Sequence, residues 1–86
     1  MKEVSITAAY VAVIRKVRGT DYWVDIPDIP GCISRGATPD AAKANFREAL
    51  ALHRESAGDP PAAPRTAGQL TKEELEDAIE TYVVEL

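Results

Sequence analysis

Cysteine and histidine each occur once in the 86 residues, and that scarcity removes several chemistries at the outset. A lone thiol, Cys32, cannot close a disulfide within the chain, and Cys32 with the single His53 falls short of a structural zinc site. No apolar run approaches the roughly 20 residues of a membrane-spanning helix. The opening MKEVSITAAY has too short an apolar region for a secretory leader. The five glycines stand singly along the chain, so no phosphate-cradling loop exists. No cofactor or metal is expected. The chain reads as a single domain over 1–86 located in the cytoplasm. At this size a core buries roughly 60–65% of the unfolded chain's surface, and self-association would strengthen it.

What is present is unevenly charged. The net charge of −4 is concentrated after residue 69, where Glu73, Glu74, Glu76, Asp77, Glu80 and Glu85 face only Lys72. An acidic end disfavours nucleic-acid phosphates and suits a basic protein surface. A solvated helix face is the plainer explanation of the same run.

The stretch 22–36, YWVDIPDIPGCISRG, organises the rest. Tyr22, Val24 and Ile26 alternate with Trp23 and Asp25, giving a strand with one apolar face and an indole beside a carboxylate on the other. Pro27 and Pro30 have no N–H to donate and stop the ladder. Gly31 lets the chain reverse before Cys32 and Ile33. Upstream, the β-branched series at 8–16 forms a first strand with Tyr10, Ala12 and Ile14 on one face and Val11 and Val13 on the other. Both faces are apolar, so one should meet a helix and the other a second chain or a partner. Turn chemistry at 17–21 joins the two strands as a hairpin.

A helix follows Gly36, with Thr38 as N-cap and Pro39 as first helical residue. Ala42, Phe46, Ala49, Leu50 and His53 form its apolar stripe, and Gly58 ends it. Residues 59–69 are a proline-rich connector. Thr71 and Glu74 then make a capping box, with Leu70 and Leu75 as a hydrophobic staple, opening a short acidic helix that ends near Asp77 or Ala78. A final strand around 81–84 places Tyr82 with Val84 and Val83 with Glu85. The fold class is α+β: a three-stranded antiparallel sheet, one main helix and a C-terminal strand, β-β-β-α-β, with the short acidic helix before the last strand.

Three constellations invite chemistry. Asp21, Asp25 and Asp28 suggest a metal-dependent nuclease, but only Asp25 is mid-strand and no second acid shares its face by spacing. Cys32 and His53 suggest a thiolate pair, but no third orienting group is identifiable, and a buried thiol with a core-facing imidazole explains both. Arg15, Lys16, Arg18 and Arg35 could gather near the hairpin, a weak nucleic-acid signal without a reading helix. Trp23 is different: an indole on the outer face is either packed under another element or kept for a partner. The candidate partner or oligomer interface is therefore Val11, Val13, Trp23, Asp25, Tyr82 and Val84.

The succession Tyr10-Val11-Ala12-Val13-Ile14, then Asp21 through Cys32 with its Pro-Asp-x-Pro-Gly-Cys core, then Gly36-Ala37-Thr38 and Ala42…Asn45…Glu48-Ala49-Leu50, resembles the HicB-like antitoxin family. The closing Pro64-Arg65-Thr66, acidic segment and terminal strand fit as well. The resemblance implies a degenerate ribonuclease-H-like domain without catalysis, a homodimer or homotetramer, and binding to a small HicA-type toxin. That toxin resembles a double-stranded-RNA-binding domain and degrades mRNA with a histidine. Pro27, Pro30, Gly31, Cys32 and Gly36 are then structural motif positions. Many members continue into a DNA-binding domain; the sequence ends at Leu86, so no C-terminal DNA-binding domain and no direct DNA binding are expected. The alternatives are a solitary homo-oligomeric domain of unassigned role, or a residual nuclease using Asp25.

Overall fold

A computed structural model describes residues 8–58 and 63–86. Strands β1 (Ala9–Lys16), β2 (Tyr22–Asp25) and β3 (Ile33–Gly36) lead into helix α1 (Pro39–Ala57); a 3-10 turn (Ala67–Gln69) and strand β4 (Ala78–Glu85) follow. All neighbours pair antiparallel, in the order β3-β2-β1-β4. The last strand therefore returns to lie beside the first. The expected β-β-β-α-β order holds, with β4 starting earlier than residue 81 because Ala78 already pairs with Arg15.

Helix α1 forms where its caps and stripe predict. The Thr38 hydroxyl accepts from the Ala41 N–H at 3.1 Å, Pro39 opens the helix, and the Gly58 N–H donates to the Arg54 carbonyl at 2.8 Å. Ala42, Phe46 and Leu50 are buried against Tyr10, Ala12, Ile14, Val24, Ile26, Ile29 and Cys32. The stripe fades at its C-terminal end, where Ala49 and His53 are only half-buried. The helix leans on β3 closely enough that a Cβ on Gly36 would sit 2.5 Å from the Ala42 nitrogen and 2.7 Å from the Ala41 carbonyl carbon. Asn45 adds a side-chain bond from its Nδ2 to the Arg35 carbonyl at 2.9 Å. Gly31 takes φ +92° in the turn after Pro30, a conformation open to glycine at little steric cost.

The second face of the sheet corrects one expectation. Val13 is fully buried and Val11 nearly so, yet the cover over them is the chain's own Leu70, Leu75 and Ala78. Two arginines hold that cover down. Arg65 donates from its backbone N–H to Asp28 Oδ2 at 2.9 Å and from Nε to Oδ1 at 2.7 Å. Its two terminal nitrogens reach Glu74 at 3.1 and 2.6 Å. Arg15 grips Asp25 at 2.6 and 3.2 Å and donates to the carbonyls of Glu74 and Glu76.

The same contacts explain why no acidic helix forms. The capping box is made in both directions, Thr71 N–H to Glu74 Oε1 at 2.9 Å and Glu74 N–H to Thr71 Oγ1 at 3.1 Å. Leu70 and Leu75 do share one cluster. Residues 72–77 nevertheless run as hydrogen-bonded turns. Carbonyls that a growing helix would point along its own axis are given to Arg15, and Asp77, at φ 61°, turns the chain into β4. Helix propagation over so few residues is too weak to compete.

Two outcomes follow. Gly36→Ala forces α1 off β3 and lowers unfolding stability by about 1–3 kcal/mol, the cost of overpacking a close contact, read from urea denaturation. The Glu74 carboxyl is drawn from its ordinary 4.5 down to about 2, first by the Arg65 hydrogen bond and then by the Thr71 N–H. Its folded value is depressed, so its contribution is complete above 4.5 and is lost as pH falls from 4.5 toward about 2. In that window Leu70 and Leu75 amides should lose hydrogen-exchange protection, and Glu74→Gln should flatten the dependence.

Candidate interaction surfaces

The six candidate interface residues do not share one surface. Alternation along paired strands sends Val11, Val13, Trp23 and Asp25 to the face beneath the C-terminal cover, and Tyr82 and Val84 to the helix face. Val11 and Val13 are inside the molecule. Asp25 is committed to Arg15. Trp23, Tyr82 and Val84 stay half-buried, on opposite sides of the sheet.

Trp23 lies at the margin of the outer cover. Its register partner on β3 is Arg35, whose guanidinium carbon stands 5.4 Å from the ring centroid. Ile33, two residues earlier and opposite Asp25, is 55% exposed. Indole, isoleucine and guanidinium thus make a small apolar-cationic patch on β2 and β3. Next to it is a hollow of about 430 Å³ lined by Arg15, Asp25, Pro27, Pro30, Cys32 and Ile33. The proline-glycine turn builds one wall, so the motif residues shape this surface as well as the fold. The exposed acids Glu73, Glu76 and Asp77 belong to the cover that Arg15 and Arg65 hold on the same side.

On the other side of the sheet, α1 lies over β2 and β3 and leaves β4 partly uncovered. Between helix and β4 runs a groove of about 560 Å³. Phe46, Leu50, Tyr82 and Val84 supply its apolar lining, and Lys43, Arg47 and Arg54 its charge. Lys43 stands 4.8 Å above the Tyr82 ring and 3.7 Å from Glu80. Burial pushes the Tyr82 phenol up, with Arg47 pulling the other way.

The candidate catalytic groups are engaged elsewhere. Asp21 is exposed in a turn, Asp25 is paired with Arg15, and Asp28 is buried under Arg65. Among the described residues no three His, Cys, Asp or Glu side chains converge as metal ligands. Cys32 is buried, and that burial pushes its thiol up, away from the thiolate a nucleophile needs. His53 lies across from Gly31. The four basic residues near the hairpin are drawn into separate contacts or, for Arg18, left exposed in the turn. Arg15 is held in the cover, Lys16 caps the Thr20 carbonyl and sits 5.2 Å over Tyr22, and Arg35 stacks on Trp23. The role of Asp28 as the anchor of Arg65 is absent from the sequence reading. An acid between two prolines and an arginine closing a proline-rich connector were its only signals.

Comparison with known proteins agrees with this architecture. Residues 10–86 match the family described as the HicB_like antitoxin of bacterial toxin-antitoxin system. The crystal structure of the N-terminal domain of Burkholderia pseudomallei antitoxin HicB superposes with a TM-score of 0.71 at 32% identity, covering 91% of this chain and 96% of that one. The crystal structure of the whole Burkholderia pseudomallei antitoxin HicB gives the same TM-score and identity, but only 62% of it is covered. An uncharacterized 14.9 kDa protein from the rep-hol intergenic region of Haemophilus phage HP1 is 44% identical over 46 residues, which is 54% of this chain and 34% of that protein. The chain thus spans about a third of its phage relative and less than two thirds of the whole Burkholderia antitoxin. With nearly its full length matched by one family and its fold shared with a solved member, the chain belongs to the HicB-like antitoxin family.

Proposed function

We propose that this domain is a non-enzymatic, cytoplasmic antitoxin that binds a small HicA-type mRNA-degrading toxin and occludes its active face. The observation that carries the reading is the patch of Trp23, Ile33 and Arg35 left beside the C-terminal cover. It combines an indole and an arginine, the side chains most enriched at interface hot spots, with an exposed isoleucine. The acids of the cover lie on the same side of the sheet, and their negative charge suits a toxin whose own work is to hold RNA. Asp21, Asp25 and Asp28 serve as turn, ion-pair and anchor groups, so inhibition by occlusion fits this chain better than chemistry of its own. The antitoxin is read as a homodimer or homotetramer, since its family implies oligomers and β4 leaves a long strand edge unpaired among the described residues.

The test is co-expression with a HicA-type toxin encoded beside this gene. A stable, RNase-silent complex is expected, and Trp23→Ala should weaken it by about 2 kcal/mol, roughly thirty-fold, as a central hot spot does. Wild-type affinity in that variant would remove the patch from the interface. Association should also slow as salt rises, because steering is screened beyond about 8–10 Å near physiological ionic strength; stopped-flow rates indifferent to salt would exclude the acidic cover as a steering element.

A further inference from the structure

We infer that the groove between α1 and β4 binds a small amphipathic anion, an apolar body ending in a carboxylate. The inference stands apart from toxin binding and from the oligomeric state, and it assigns a ligand to the side of the sheet opposite the Trp23 patch.

A mismatch between two elements makes the groove. Helix α1 packs on β2 and β3, whereas β4 is added to the far edge of β1. The gap between them is lined by Phe46 and Leu50, buried on the helix, and by Tyr82 and Val84, half-buried on the strand. Its volume of about 560 Å³ falls in the roughly 300–1,000 Å³ range of small-molecule sites, which combine an apolar lining with a few polar groups.

The polar groups here are donors. Helical spacings of four and seven bring Lys43, Arg47 and Arg54 to the same wall. Lys43 is matched by Glu80 at 3.7 Å and stands 4.8 Å from the centroid of the Tyr82 ring. Arg47 differs. It is exposed, and among the described residues no carboxylate pairs with it. Its charge acts on the Tyr82 phenol, so the guanidinium lies near that oxygen. Burial of the ring keeps the phenol protonated and able to donate. The phenol has no acceptor among the described residues either. The acid in the lining, Glu85, is turned by strand alternation to the opposite face. A guanidinium and a phenol O–H beside an apolar gap thus call for an acceptor that carries an apolar tail. A carboxylate takes both bonds, and charge-assisted bonds of this kind are the strong ones. An inorganic anion would leave the apolar lining wet, and a cation of the same shape would meet like charge.

The test is a chemical-shift titration of the full chain with decanoate below its micellar concentration. Saturable shifts are expected at Leu50, Tyr82 and Val84, with the Trp23 indole unmoved. Decyltrimethylammonium has the same tail with the opposite charge, and acetate the same head without the tail; both should bind about ten-fold or more weakly. Arg47→Gln and Tyr82→Phe each remove one donor without emptying the groove. Each should weaken decanoate about ten-fold, as loss of a hydrogen bond to a charged group does, with circular dichroism unchanged. Equal binding of the decyl cation, shifts that acetate reproduces, or unchanged affinity in both variants overturns the inference. Groove resonances that follow protein concentration alone and ignore decanoate assign the groove to a second copy. Resonances that answer an acidic, leucine-rich peptide and not decanoate assign it to a protein partner. Either of those results overturns it as well, and none of them bears on the toxin contact.

Discussion

Arg65 is the side chain on which the arrangement of this small domain depends. It carries one guanidinium between Asp28, buried in the β2–β3 turn, and Glu74, in the turn that precedes β4. Each carboxylate fixes a different part of the chain, so the bridge converts a long excursion after α1 into a lid. Arg15 repeats the device from β1, pairing with Asp25 and taking two carbonyls of the same lid. Bidentate arginine–carboxylate geometry gives direction as well as energy. Beneath the lid, Leu70 and Leu75 seal Val11 and Val13, and a sheet with two apolar faces gains two cores. An 86-residue chain has little apolar area to spare, and covering both faces internally is how this one manages without a second helix layer.

The lid also decides what remains for partners. It stops short of Trp23 and Ile33 on the outer face, and α1 stops short of β4 on the inner one. Contact surfaces are therefore what the two covers leave behind. One is a compact patch with an aromatic centre; the other is an open edge with a charged groove beside it. Their positions on opposite sides of the sheet keep the two surfaces separate.

Much of this was legible in the sequence, and the rest was not for identifiable reasons. The α1 boundaries follow from Thr38, Pro39 and Gly58 because capping is local chemistry, and the buried Ala42, Phe46 and Leu50 follow from helical periodicity. The β2 alternation correctly separates Val24 from Trp23. The capping box of Thr71 and Glu74 is equally local and equally real. What failed was the inference from box to helix, because the competing partner, Arg15, lies some sixty positions away in the chain. The cover over Val11 and Val13 was missed for the same reason. Nothing short-range shows that Asp28 and Arg65, 37 positions apart, will meet. Grouping Tyr82 and Val84 with Trp23 failed because the pairing register of β4 on β1, which sets its facing, is a tertiary property.

The central claim is that the lid stays shut and the partner reads only what it leaves exposed. Methyl and amide chemical-shift mapping of the domain bound to a HicA-type toxin tests this directly. The predicted result is perturbation centred on Trp23, Ile33 and Arg35, with the methyls of Leu70, Leu75, Val11 and Val13 unmoved. Large shifts at those four methyls, with Arg65 released from Asp28, would contradict it.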